Sequence, residues 1–127
     1  MNANPIPVPP VCPKGIFIKD YEKMIYIHSL IMKDLSKPMP TISKLAALVH
    51  MSPTKFRSLF VKIFNASIYQ YHLQARLDLA KHLLLTNEFT ITQIAYKVGF
   101  DRSQSFAKSF LIHTGFTAGQ FRDLYSL

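Results

Sequence analysis

Only one cysteine is present, Cys12, set among prolines, which excludes an internal disulfide and any multi-cysteine zinc site. A free thiol on a tail is its expected state. No stretch approaches the roughly 18 consecutive apolar residues of a membrane span, and the N-terminus lacks a basic region followed by an apolar run. A soluble, intracellular, cytoplasmic protein is expected. The sequence has no Gly-rich phosphate loop, no nucleophile with a base partner and no paired acids, so an enzyme reading has nothing to rest on. Its five histidines, His28, His50, His72, His82 and His113, lack ligand spacing, and neither a metal nor a cofactor is expected. Acidic residues are also scarce. Seven of them face 15 Lys plus Arg, a formal net charge of +8, which favours polyanionic partners such as nucleic acid or an anionic membrane.

What is there suffices for a folded domain. With 127 residues, 49% hydrophobic and 17% charged, the chain can bury enough apolar surface to offset its ordering entropy as one domain. Residues 1–19 hold Pro5, Pro7, Pro9, Pro10, Pro13 and Gly15, a density that stops helix propagation and predicts a tail or interdomain tether. From Asp20 the pattern turns helical, with Tyr21, Met24, Ile25, Ile31, Met32 and Leu35 on one side, until Pro38 and Pro40.

The most informative feature is an internal repeat. Thr41-Ile42-Ser43-Lys44-Leu45-Ala46 recurs 49 residues later as Thr90-Ile91-Thr92-Gln93-Ile94-Ala95. Val49 then matches Val98 and Met51 matches Phe100. Beyond that point the offset becomes 50, so one extra residue enters the second copy: Phe56 pairs with Phe106, Phe60 with Phe110 and Tyr71 with Phe121. Each copy reads as a short helix, a turn and a second helix. Ser52-Pro53 supplies an N-cap and a first-turn proline, and Asp101 is expected at the matching cap. Capping-box spacing appears at Thr90/Gln93, Ser67/Gln70 and Thr117/Gln120. Phe56, Leu59, Phe60, Ile63 and Phe64 follow one helical face that must be buried. Between the copies, Ser67 to Leu85 form one helical pattern ending before Asn87, spanning roughly 28 Å.

These residues resemble the C-terminal DNA-binding domain of AraC/XylS-type transcription regulators, over roughly residues 20 to 125. The likeness is carried by Leu45, Ala46, Ser52 and Phe60, by Arg76, Ala80, Leu83 and Leu84, and by Ile94, Ala95, Gly99, Phe100, Phe106, Phe110, Gly115, Phe121 and Arg122. The resemblance implies an all-α fold: two helix-turn-helix subdomains, three-helix-bundle-like, joined by a long linker helix. The expected division is residues 20–71 for the first unit, 67–87 for the linker helix and 88–127 for the second unit. The sequence departs from the family pattern at His50 and Asn65, where glycine is usual, and at Ala118, where proline is usual. Both His50 and Asn65 belong to the few non-glycine types that tolerate positive φ.

The resemblance further implies sequence-specific binding of double-stranded DNA by a bacterial regulator, with the second helix of each unit in one of two successive major grooves. Base-reading side chains are then expected at Thr54, Arg57 and Ser58, and in the second unit at Ser103, Gln104 and Lys108. Arg57 suits guanine O6 and N7, with a phosphate contact as its alternative, and Gln104 suits adenine N6 and N7. Lys55, Lys62, Arg102 and Ser105 are expected on phosphates, with the helix starts near Thr41, Ser67, Thr90 and Thr117 as further backbone clamps. RNA polymerase is a candidate second partner, and a separate sensing or dimerisation domain is expected before residue 1. The rival reading is a helical protein-interaction module whose basic face docks an acidic partner. Membrane-surface binding ranks below both, because the basic residues do not gather on one amphipathic stripe.

Overall fold

A computed structural model of the chain describes residues 11–126; residues 1–10 of the expected tether, and Leu127, lie outside the described residues. The described residues are helical, in the order α1 (Ile18–Met32), α2 (Ile42–Leu48), α3 (Pro53–Phe64), α4 (Ile68–Thr86), α5 (Ile91–Lys97), α6 (Ser103–Thr114) and α7 (Ala118–Tyr125), with no strand among them. They form two compact units, residues 11–34 with 38–73, and residues 35–37 with 74–126. The all-α expectation holds.

In the first unit most of the expected periodic residues are buried, but Ile25 and Met32 are only half-buried and Ile27, outside the expected set, is fully buried. Met24 and Ile27 of α1, Leu45 and Ala46 of α2, Phe56 and Phe60 of α3, and Tyr71 of α4 are fully or almost fully buried. The rings of Phe60, Phe64 and Tyr71 lie 4.5 to 5.7 Å apart, in tilted and edge-to-face pairs that add to simple area burial. His28 belongs to this core. Its ring stacks on Phe64 at 5.1 Å and its Nε2 lies 2.6 Å from the Tyr71 hydroxyl. The second unit repeats the plan with Ile94, Ala95 and Val98 against Phe106 and Phe110.

Local signals place most helix ends. Thr41, Ser52, Thr90 and Thr117 accept from the backbone N–H three residues on, and Thr90/Gln93 and Thr117/Gln120 close full capping boxes. Ser67 and Gln70 exchange the same pair of bonds at the start of α4. Ala118 occupies the first position of α7 and is buried, a site where proline's missing N–H would cost nothing and where alanine serves as well.

Three expectations need correcting. The first helix starts at Ile18 and stops at Met32, short of Leu35, although Leu35 is buried. The Leu35 and Lys37 carbonyls accept from Arg76, so this segment has partners other than a continued helix. Asp101 does not cap α6: the cap position falls on Arg102, whose side chain makes no cap bond. The inserted residue is therefore Asp101 itself, which shifts the start of the helix by one. Finally, Cys12 is a free thiol but not one on a loose tail. Its Sγ donates to the Ile16 carbonyl at 3.1 Å, and both residues pack against the first unit's core.

Candidate nucleic-acid interface

Each unit builds the same turn by the same means. After α2 the N–H groups of Val49 and Met51 return to the Ala46 carbonyl while His50 takes φ 56°. After α5 the N–H of Phe100 returns to the Ala95 carbonyl while Gly99 takes φ 98°. The left-handed residue reverses the chain within one turn and sends it into the second helix. Asn65 and Gly115 end α3 and α6 with φ 62° and 81°, so both departures from glycine fall on residues that tolerate this conformation.

Burial of Phe56, Leu59, Phe60 and Ile63 turns the other side of α3 to solvent, which exposes Thr54, Lys55, Arg57, Ser58 and Lys62. On α6, with Phe106 and Phe110 buried, Gln104, Ser105 and Lys108 are exposed, Ser103 is half-buried at the first helical position, and Arg102 is exposed just before it. Thus the ten side chains expected to face nucleic acid fall in two sets, one at α3 and one at α6. Lys55 has an internal partner 35 residues away that no local pattern marks. Its Nζ lies 3.2 Å from the Asp20 carboxylate of α1, a pair whose exposed ammonium leaves it of small worth to stability.

Arg76 and Arg122, which carried family likeness without an assigned role, hold backbone. Arg76 donates from Nε to the Leu35 carbonyl and from Nη2 to the Lys37 carbonyl, both at 3.0 Å, with its guanidinium 6.0 Å from the Phe100 ring centroid. Arg122 donates from Nε to the Leu84 carbonyl at 3.0 Å and from Nη2 to the Phe89 carbonyl at 2.7 Å. Each uses the rigid fork of the guanidinium to pin the chain just ahead of a helix-turn-helix, which lysine cannot imitate. Burial pushes the Arg76 pKa down, and the Asp101 carboxylate opposes that shift. Asp101 acts here as a neighbouring charge.

Among the described residues no three His, Cys, Asp or Glu side chains gather where a metal could sit, and no helix is long and apolar enough to cross a membrane. A family model described as a helix-turn-helix domain matches residues 45–123, covering both turns and both second helices. The chain belongs to the AraC-type helix-turn-helix family. This AraC-type domain is 34% identical over 107 residues to the uncharacterized HTH-type transcriptional regulator YobQ of Bacillus subtilis, covering 84% of this chain and 42% of that one. It thus spans less than half the length of that relative. Among solved structures, an AraC-type transcriptional regulator from Chromobacterium violaceum superposes with a TM-score of 0.71 at 24% identity, covering 82% of this chain and 92% of that one. The DNA-binding domain of AdpA, solved with a target DNA, superposes with a TM-score of 0.74 at 20% identity, covering 81% and 92%. At those identities the two likenesses bear on the fold, and the AraC-type domain shares it.

Proposed function

We propose that this domain binds double-stranded DNA with sequence preference, as the DNA-binding part of a bacterial transcription regulator. The observation that supports this best is the repeated geometry. In each unit a short helix and a left-handed turn present a second helix whose buried aromatic face leaves a polar face to solvent, the form that enters a major groove. Thr54, Arg57 and Ser58 in the first unit, and Ser103, Gln104 and Lys108 in the second, read base edges. Lys62, Arg102, Ser105 and, once released from Asp20, Lys55 hold phosphates. Residues 20–71 and 88–127 act as the two reading units, 67–87 as the linker helix, and the proline-rich stretch ahead of Cys12 as a tether to a sensing or dimerisation domain; the tether is shorter than the expected 1–19, because Cys12 and Ile16 pack on the core and α1 begins at Ile18. The domain is not an enzyme in this reading. It works in the cytoplasm, where its DNA is, with RNA polymerase as a further partner.

The test is a titration of labelled duplexes, one selected from a random pool and one scrambled, across salt concentrations. With about six phosphates neutralised, log K falls with log salt at a slope near −5, and the selected duplex binds more tightly throughout. Equal affinity for the two duplexes at every salt concentration would favour the rival module that docks acidic partners through its basic face.

A further inference from the structure

The two reading helices share one register and differ in chemistry. Both have 12 residues, and an offset of 50 relates their first residues Pro53 and Ser103, their last residues Phe64 and Thr114, and their left-handed caps Asn65 and Gly115. Under that register the exposed residues Thr54, Arg57, Ser58 and Val61 of α3 correspond to Gln104, Ala107, Lys108 and Leu111 of α6, all exposed as well. Arg57 thus has Ala107 as its counterpart. The remaining cations of α3, Lys55 and Lys62, are matched by Ser105 and Ile112.

An arginine on the reading face donates two parallel bonds to guanine, whereas an alanine offers one methyl group, which fits the thymine 5-methyl and no other major-groove feature. Gln104 and Leu111 lie three residues before and four after Ala107, on the same strip of α6. Gln104 brings the amide that pairs with adenine, and Leu111, 46% exposed, continues the apolar surface. A small side chain also lets the helix approach the groove floor more closely than Arg57 allows α3. We infer that Ala107 is a specificity-determining residue that reads a thymine methyl in the second subsite, at the register where Arg57 reads guanine in the first. The target is then chemically asymmetric although the protein is a repeat. This inference rests on the proposed binding of duplex DNA.

The experiment starts from sequences that the chain enriches from a random duplex pool. Each thymine of the enriched site is replaced in turn by deoxyuridine, which removes only the 5-methyl group, and binding is measured by titration. One replacement should weaken binding about fourfold, the worth of one buried methyl-sized group. At that same position Ala107→Arg should change the preferred base from thymine to guanine. Ala107→Gly should abolish the thymine-to-deoxyuridine ratio there, a ratio unaffected by any general loss of folded protein. A pool without enrichment overturns the DNA-reading function and this inference with it. An enriched site in which every deoxyuridine duplex binds as well as its parent, or in which Ala107→Arg alters no single position, overturns the inference alone.

Discussion

Gly99→Ala is the sharpest test of how the second unit is held together. Two separate costs meet at this residue. Its φ of 98° lies in the left-handed range, where a Cβ is strained by about 1–2 kcal/mol. A Cβ there would also press into the Leu35 carbonyl and come within 2.8 Å of Cζ and Nη2 of Arg76. To make room, Arg76 must give up or stretch its bonds to the Leu35 and Lys37 carbonyls, each a charge-assisted bond worth about 1.5–3 kcal/mol. Losing the equivalent of one such bond brings the total to about 2.5–5 kcal/mol. Gly115 is the matched control. It has φ 81° and nothing within 4 Å of an added Cβ, so Gly115→Ala should cost the strain alone, about 1–2 kcal/mol. Urea unfolding of both variants, followed by circular dichroism, measures the difference. Adding Arg76→Ala to each variant should cost less in the Gly99→Ala background than in the Gly115→Ala background, because that arginine has already been displaced. Equal losses for Gly99→Ala and Gly115→Ala would refute the close-approach argument and leave only backbone strain.

Three further outcomes are expected. Arg57→Ala should relax preference at one base position, costing on the order of 1–3 kcal/mol there, whereas a uniform loss over all duplexes in the same titrations would move Arg57 to a phosphate. Arg102→Ser should stabilise the fold by about 0.5–1 kcal/mol by giving α6 the side-chain cap it lacks, seen as a rise in the thermal midpoint, while weakening DNA binding. Burial pushes the His28 pKa below its ordinary 6.5, so below that value the unfolded chain takes up a proton that the folded chain resists. The stability from neutral His28 is therefore present above about pH 6.5 and lost as pH falls through the lowered pKa; unfolding midpoints at pH 7.5 and 5.5 should differ less in His28→Gln.

Much of this architecture is legible in the sequence, because its signals are local. Apolar residues at helical spacing, capping pairs three residues apart and the end of α4 before Asn87 each depend on a few neighbouring residues. The left-handed turns at His50 and Asn65 were readable only through the family likeness, which has glycine at both positions. The repeat also relates the two second helices residue by residue. Its offset of 50 sets Arg57 opposite Ala107, while only the observed start of α6 makes Arg102 the counterpart of Ser52 and moves the cap away from Asp101.

Tertiary structure decided what long separations control. Arg76 reaches a carbonyl 41 residues earlier in the chain and Arg122 one 38 residues earlier, and no periodicity marks which arginine turns inward to backbone and which stays at the surface. Asp20 meets Lys55 only because α1 packs against α3. Cys12 and Ile16 lie against the core although prolines and a glycine surround them, since burial depends on what surface the fold leaves to cover. The sequence by itself determined the helices, their caps and the twofold plan, through interactions that close within about one helical turn. Which polar side chains remain available for a partner, and which are spent holding the chain in place, followed only from packing.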